Sequence, residues 1–178
     1  MAKRPLEPLH RSTASLTYEL CPCGWLREEE IVKYLEEFND AGETCNVLWQ
    51  LEDITASQWK ETIEVDKSTE YVAFIVDNRL VGIGRITHKP KHEANGMIGY
   101  AIRPKERGKR YATVFVQMIE ETCRKMGMER ITACVDRMNI ISLHVFIKAG
   151  WVPTGREYDW KPDPEPRVAI EMAPTWSK

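Results

Sequence analysis

The sequence predicts an α+β fold, with a mixed and mostly antiparallel sheet that contains one parallel pair of strands and carries helices on both faces. Two observations favour this class. Short apolar strands joined by turns occupy the middle of the chain, at residues 71–76, 80–87 and 97–102. An amphipathic helical stretch, 111–126, then leads to another apolar strand at 131–135. Because a strand–helix–strand crossover joins parallel strands, 97–102 and 131–135 are expected to lie side by side.

The N-terminal residues are interpreted as a tail followed by a first strand. Residues 1–15 are polar, include two prolines and show no periodicity. This pattern predicts a flexible tail outside a single domain of residues 16–178. Residues 16–21 alternate apolar and polar side chains, as expected of a strand with one buried face.

Two helices are expected after this strand. Residues 27–41 place apolar side chains at helical spacing, and Gly42 stands where it can end the helix. A second helix is predicted to begin after Thr55. The segment between them, 44–51, shows no pattern that assigns it to a helix or a strand, and it is interpreted as a loop.

The strands at 71–76 and 80–87 are joined by Asp77-Asn78-Arg79. Asp and Asn tolerate a left-handed backbone, so this segment predicts a tight hairpin turn. Residues 88–95 are polar and predict a loop that leads to the strand at 97–102.

The C-terminal elements have recognisable ends. Gly127 is expected to terminate the helix of 111–126, and Asn139 to cap a helix over 140–149. A last pair of strands is predicted at 152–160 and 167–172, joined by a longer proline-rich loop.

Composition excludes several classes of protein. The chain has 178 residues, 43% of them hydrophobic, which suits one globular domain with a proper core. A net charge of -2 argues against a nucleic-acid partner, which usually requires a basic surface. No apolar run approaches the roughly 20 residues of a membrane span, and the first residues show no long apolar segment of the kind that a secretory signal has. The five cysteines, an odd number, predict reduced thiols in a cytoplasmic protein.

A basic turn precedes the helix of 111–126. Arg107, Lys109 and Arg110 surround Gly108 immediately before the helix begins. A helix start carries unpaired backbone N–H groups and about half a positive charge. The turn therefore predicts a binding site for a phosphate or a pyrophosphate.

Two motifs within residues 97–151 resemble those of the GNAT superfamily of N-acetyltransferases. The phosphate turn of the family, Arg/Gln-x-x-Gly-x-Gly/Ala, corresponds to Arg107-Gly108-Lys109-Arg110-Tyr111-Ala112. A later family pattern, Asn-x-x-Ser/Ala-x-x-x-Tyr-x-x-x-Gly-Phe, corresponds to Asn139, Ser142, Phe146, Gly150 and Trp151. One basic turn alone is a weak signal, but two motifs with a helix and a strand between them are a specific one.

The resemblance implies a GNAT-like fold whose parallel strands splay apart to hold acetyl-CoA as a co-substrate, without a metal. Main-chain N–H groups of the phosphate turn are expected to bind the pyrophosphate, and the pantetheine arm to lie between the splayed strands. The residues expected to contact the co-substrate are Ile102, Arg107, Gly108, Lys109, Arg110, Tyr111, Ala112, Thr113, Asn139, Ser142 and Phe146.

Two departures from the family pattern affect this site. Arg110 replaces a glycine of the turn. A right-handed backbone conformation at Arg110 is expected to keep its N–H directed at the phosphate. The arginine side chain also adds a positive charge. Phe146 replaces a tyrosine that protonates the departing thiolate, and phenylalanine has no proton to donate. Solvent, Tyr100, Tyr111 and Ser142 are the alternative donors.

A third departure concerns the base that deprotonates the incoming ammonium. The family often has Glu or His early on the strand before the turn, whereas residues 96–98 of this chain, Gly-Met-Ile, do not titrate. Glu93 in the preceding loop is the candidate base, with His92 and His88 as alternatives.

The resemblance implies an enzyme that moves an acetyl group to a primary amine of a small molecule or peptide, by direct attack in a ternary complex. Phe146 and the untitratable residues 96–98 favour an alternative, a non-catalytic acyl-CoA-binding sensor or interaction module of the same fold. A different acyl donor also stays open, because the phosphate turn does not contact the acyl group. Homodimers are frequent in the family, and the sequence leaves the oligomeric state and the acceptor undecided.

Overall fold

The computed structural model describes residues 6–43, 61, 63, 68–89, 92–160 and 167–177, without the side chains of 89, 92–94, 160 and 167. The principal elements within these ranges are, in chain order, β1 (Leu9–Ser12), β2 (Thr17–Pro22), α1 (Glu28–Asp40), β3 (Thr69–Val76), β4 (Arg79–Lys89), β5 (His92–Ile102), α2 (Tyr111–Lys125), β6 (Arg130–Asp136), α3 (Ile140–Lys148), β7 (Trp151–Trp160) and β8 (Arg167–Pro174). The predicted second helix after Thr55, the segment 44–51 and the proline-rich loop 161–166 fall largely or wholly outside the described residues.

The strands form one sheet in the order β1-β2-β3-β4-β5-β6-β8-β7, and the predicted α+β class is confirmed. Neighbouring strands are antiparallel except β5 and β6, which are parallel as the crossover through α2 predicts. The hairpin between β3 and β4 is also as predicted. Asp77 and Asn78 have φ values of 47° and 61°, the left-handed conformations of a two-residue turn.

The parallel pair is short and then opens. β5 and β6 pair only from Asn95 opposite Arg130 to Met97 opposite Thr132. Beyond this point β5 continues to pair with β4 as far as Ile102, while β6 pairs with β8. The two parallel strands therefore separate, and the expected splayed pair is confirmed. We call the opening between residues 98–102 and 133–136 the strand gap.

Helices cover both faces of the sheet, as predicted. α1 packs Ile31, Tyr34 and Phe38 against one face, in a core that it shares with β3 and β4. The larger core lies on the other face, where α2 and α3 bury Phe115 and Phe146. Burying each of these aromatic side chains contributes about 1.5–3 kcal/mol. None of the helices in the described part of the chain is both long enough and apolar enough to cross a membrane.

Two predictions about irregular segments are wrong in part. Within the predicted tail, Leu9–Ser12 forms the edge strand β1, which pairs with β2, and Arg11 bonds Glu121 of α2 across 2.8 Å. An edge strand with one wet face has little apolar pattern, which explains why the sequence did not reveal it. The predicted loop 88–95 is mostly strand, because β4 extends to Lys89 and β5 begins at His92.

Candidate active site

A cavity of about 1040 Å³ lies between the basic turn, the end of β5 and α3. This volume is at the upper end of the roughly 300–1000 Å³ of typical ligand pockets, so the cavity suits a large ligand. Its lining includes residues from α1, β5, the turn, α2 and α3: Phe38, Glu43, Tyr100, Ala101, Ile102, Glu106, Arg107, Gly108, Arg110, Tyr111, Ala112, Thr113, Val114, Asn139, Ile141, Ser142, His144, Val145 and Lys148.

Most of the site residues expected from the sequence meet at this cavity. Those on its wall are Ile102, Arg107, Gly108, Arg110, Tyr111, Ala112, Thr113, Asn139 and Ser142. Two others lie elsewhere. The ammonium group of Lys109 contacts Glu106 at 2.8 Å, and Phe146 is 2% exposed, in the core beside Tyr100 and Trp151. Glu93 lies in β5 by its backbone, and its side chain is outside the part of the chain that the structure describes.

The basic turn presents the start of α2 to the cavity. Gly108 has a φ of 79°, and α2 begins three residues later at Tyr111. The N-cap residue, Arg110, makes no side-chain hydrogen bond to the helix. The first N–H groups of α2 therefore have no side-chain cap and can serve as anion donors.

Arg110 corrects one expectation about the turn. Its φ of 64° and ψ of 10° are left-handed, whereas the sequence predicted a right-handed conformation. The arginine thus adopts a left-handed conformation that a glycine would adopt without strain. The left-handed conformation costs a non-glycine residue about 1–2 kcal/mol of conformational energy.

The three cations of the turn differ in what they contact. Arg107 bonds Glu43 through both terminal nitrogens at 2.7 Å, which lowers the pKa of that carboxyl. Lys109 pairs with Glu106. Arg110 forms no ion pair with another described residue. Its charge is therefore the one in the turn that no described carboxylate neutralises, and it can act on a bound phosphate.

Arg107 supports the turn as well as carrying charge. Its Nε donates to the carbonyl oxygen of Ile102 at 3.2 Å, and its guanidinium lies 5.6 Å from the ring centroid of Phe38. These contacts join the turn to the end of β5 and to α1. We infer that Arg107 holds the turn in place.

The edge of β5 that faces the strand gap carries backbone donors and acceptors. Arg103 donates its N–H to Val81 of β4 at 2.9 Å. Backbone groups alternate between the two edges of a strand, so those of Ile102 and Tyr100 point the other way, toward the gap. The contact of Arg107 with the Ile102 carbonyl agrees with this direction.

The hydroxyl group of Tyr34 lies between β4 and β5. It donates to the carbonyl oxygen of Ala101 at 2.9 Å and accepts from the N–H of Ile83 at 3.2 Å. In the sequence, Tyr34 is one of the residues at helical spacing within 27–41. Its helical position gives no signal of this contact, which links α1 to the strand that borders the gap.

The start of α3 meets β5 across the cavity. The side-chain oxygen of Asn139 accepts from the N–H of Ser142 at 3.0 Å, so the predicted helix cap is confirmed. The hydroxyl of Ser142 lies 3.2 Å from that of Tyr100. Burial raises the pKa of Tyr100, and the hydrogen bond to Ser142 opposes this rise only in part.

The sequence and the fold were both compared with those of known proteins. The sequence matches the acetyltransferase (GNAT) family over residues 23–151. No curated protein is similar enough to match.

Several solved structures share the fold. An acetyltransferase of the GNAT family from Streptococcus pneumoniae is 14% identical, with a TM-score of 0.65 over 88% of this chain and 98% of that chain. RimJ from Mycobacterium smegmatis, in complex with CoA-disulfide, is 17% identical, with a TM-score of 0.72 over 88% and 81%. Spermidine N-acetyltransferase from Vibrio cholerae, in complex with CoA and spermine, is 15% identical, with a TM-score of 0.70 over 93% and 98%.

Proposed function

Because the chain belongs to the GNAT acetyltransferase family, we propose that it transfers an acetyl group from acetyl-CoA to a primary amine of a small molecule or peptide. The observation that carries the proposal is the strand gap beside a cavity that ends at the uncapped start of α2. Solved structures of the same fold contain CoA, and one contains spermine, a polyamine. An acyl-CoA donor and an amine acceptor follow from that likeness as a proposal.

The turn and the start of α2 are the proposed pyrophosphate site. Acetyl-CoA supplies the acetyl group as a reactive thioester when it is bound. The N–H groups from Arg107 to Thr113 and the charge of Arg110 hold the diphosphate, because the helix start is electropositive and uncapped. Gly108 leaves room for it, since an added Cβ there would meet no atom within 4 Å.

The gap-facing edge of β5 is the proposed site of the pantetheine arm and of the reacting carbonyl. Main-chain groups of Ile102 and Tyr100 point toward the strand gap and can bond amides of the arm. An N–H on the same edge can stabilise negative charge on the carbonyl oxygen during attack. The amine enters from the α1 face of the sheet, opposite α2.

Direct attack by the amine, with both substrates bound, is the proposed course. Cys123 is fully buried, and burial raises its pKa. Burial likewise raises the pKa of Cys21 to about 11 and that of Cys23 well above its ordinary value. Such thiols are poor nucleophiles at neutral pH, which argues against acylation of these three cysteines. Glu93, near the start of β5, stays the proposed base for the ammonium.

Acetyl-CoA is expected to raise the melting temperature of the wild-type protein, and Arg110→Glu to abolish the rise. The glutamate places a negative charge beside the diphosphate. Arg110→Gly is the matched variant, because glycine keeps the left-handed turn without any charge. It is expected to bind acetyl-CoA about 3- to 10-fold more weakly than wild type while still showing a rise. Differential scanning fluorimetry over a range of acetyl-CoA concentrations measures all three proteins.

Release of free CoA thiol separates the enzyme from a non-catalytic binder. Phe146 and the untitratable residues 96–98 favour the binder. Wild-type protein with acetyl-CoA and a panel of diamines, polyamines and peptide amines is expected to release thiol above the amine-free rate. A melting shift without thiol release from any amine leaves only the sensor or interaction module, and no melting shift at saturating acetyl-CoA refutes both.

A further inference from the structure

Tyr100 stands in the middle of the strand gap. Pairing of β5 with β6 stops at Met97, and β5 ends at Ile102. The open stretch 98–102 is about 13 Å long at roughly 3.3 Å per residue, with Tyr100 at its centre. This opening joins the two faces of the sheet, so it is where an amine on the α1 face and a thioester on the other face meet. The carbon–sulfur bond that breaks must therefore lie close to Tyr100.

The side chain of Tyr100 is held on the cavity side of the gap. Its ring packs edge-on against Phe115 and Phe146, with centroid distances of 6.3 and 5.7 Å. Its hydroxyl contacts the hydroxyl of Ser142 at 3.2 Å, and both residues line the cavity. The aromatic packing and the contact with Ser142 fix the position of the Tyr100 hydroxyl oxygen, and either hydroxyl can donate to the other.

Other proton donors of the cavity lining are less well placed. Tyr111 is the first residue of α2, at the phosphate end of the cavity, and its ring packs edge-on against Tyr18. His144 and Lys148 are exposed on α3. Tyr100 is half-buried, and burial raises its pKa, so its hydroxyl keeps its proton at neutral pH.

We propose that Tyr100, supported by Ser142, donates the proton that the departing thiolate takes up, a role that Phe146 cannot fill. This inference rests on the proposed acetyl transfer. As the carbon–sulfur bond breaks, its electron pair goes to sulfur and the proton of the Tyr100 hydroxyl moves to that sulfur, giving a thiol. The tyrosinate accepts a hydrogen bond from Ser142 until the proton released by the amine returns to it through water.

The proposal predicts a change in the ionisation constant of the CoA thiol when CoA is bound without an acceptor. A hydroxyl that donates to the sulfur stabilises the thiolate, so the ionisation constant of the bound thiol is expected to be about tenfold larger in wild type than in Tyr100→Phe. Ultraviolet absorbance of the thiolate during a pH titration of the CoA complex measures it. Ser142→Ala should give a smaller change in the same direction.

Tyr18→Phe is the matched control, since it removes the hydroxyl of a buried tyrosine that does not line the cavity. It should leave the ionisation constant at the wild-type value. With an amine from the panel, Tyr100→Phe should lower kcat about 100-fold at an unchanged KM for acetyl-CoA. Equal ionisation constants in bound wild type and Tyr100→Phe overturn the role of Tyr100 but not the acetyl transfer. Failure of wild type to bind CoA overturns the acetyl transfer itself and this role with it.

Discussion

Arg110 holds a backbone conformation that costs an arginine about 1–2 kcal/mol. Such strain persists only where the surrounding structure imposes it, and it is often found at ligand sites. Here the conformation directs the chain from the turn into α2 while the guanidinium keeps a charge that no described carboxylate neutralises. A glycine would form the same turn without that charge, so charge and turn shape can be tested separately through Arg110→Gly and Arg110→Glu.

Glu171 is a buried carboxylate with a structural role. It is 1% exposed and accepts hydrogen bonds from Thr154 at 2.9 Å and Tyr158 at 2.8 Å. Thr154 lies within the irregular part of β7, where pairing with β8 shifts register between Pro153 and Glu157, and Tyr158 comes just after it. Burial raises the pKa of Glu171, but the two hydrogen bonds and nearby Arg130 outweigh it, so the pKa is lowered. The carboxylate therefore stabilises this bulge in its charged form.

Glu171→Gln is expected to lower the free energy of unfolding at pH 7 by about 1–3 kcal/mol. The folded-state pKa is below the ordinary value of about 4.3, so the stabilisation is present above that pH and lost as pH falls through the folded-state pKa. The difference between the two proteins should therefore shrink at about pH 3, as urea unfolding at both pH values can show.

Glu157→Gln is the control for this prediction, since that side chain is exposed and its contact with Arg137, at 3.5 Å, is a surface ion pair. It should change stability by less than about 1 kcal/mol at either pH. A difference between wild type and Glu171→Gln that is the same at both pH values would contradict the role of the charged carboxylate.

At the scale of elements, one face of α1 contacts the end of β5 and the basic turn, which form the proposed acetyl-CoA site. Tyr34 bonds the backbone between β4 and β5, Glu37 pairs with Arg103 after β5, and Phe38 lies under Arg107. These α1 positions are three and four residues apart, so they share a face of the helix. The helix that borders the proposed acceptor side thus contacts both the strand gap and the basic turn.

Tyr34→Phe is expected to destabilise the protein by about 1–3 kcal/mol, because the Ala101 carbonyl and the Ile83 N–H lose the hydroxyl between them. Urea unfolding measures the change. Tyr18→Phe serves as the control, since its hydroxyl has no hydrogen bond to a described residue, and it should have little effect. Equal stability of wild type and Tyr34→Phe would show that β4 and β5 can bond each other directly at this point and that the hydroxyl is dispensable.

At the scale of the whole molecule, few backbone contacts join the two halves of the sheet. β5 and β6 share the short ladder from Asn95 to Met97, so the strand gap weakens the connection that an unbroken sheet would provide. Side chains compensate on the α2 face. The two carboxylate oxygens of Glu120 accept from the indole N–H groups of Trp151 at 2.9 Å and Trp176 at 2.6 Å. Glu120 thereby ties α2 to the start of β7 and to the chain after β8.

Glu120→Gln is expected to lower the melting temperature by roughly 3–10 °C, equivalent to about 1–3 kcal/mol. An amide offers one acceptor oxygen, so one of the two indole groups loses its partner. Hydrogen exchange should quicken at amides of β7 and β8 more than at those of β3 and β4. Exposed Glu129→Gln is the control and should leave both measurements unchanged; uniform acceleration across the sheet would argue against a link between its halves.

Local patterns predicted much of this molecule because they depend on neighbours in the chain. The spacing of apolar residues predicted α1 and α2, Asp77 and Asn78 predicted the hairpin, and Asn139 predicted the cap of α3. The edge strand β1 and the extension of β4 and β5 escaped prediction. Partner strands, rather than their own composition, keep these segments extended.

In the candidate site, too, the residues that are close in the sequence were predicted and the contacts between distant residues were not. Residues close together in the sequence, from Arg107 to Thr113, were expected to share a site, and all of them except Lys109 line one cavity with Asn139 and Ser142. The contacts of Tyr100 with Ser142 and of Arg107 with Glu43 join residues far apart in the chain. No sequence pattern specifies such pairs, because they depend on how the elements pack.

The sequence by itself determined the α+β class, the parallel crossover and a basic turn before a helix, since each follows from periodicity or from a motif of a few residues. Only the tertiary structure decided where the parallel strands separate, which cation of the turn lacks a described carboxylate, and which hydroxyl stands at the centre of the gap. Those features arise from side chains and strand edges brought together by folding, and the energies that select them act between residues that are distant in the sequence.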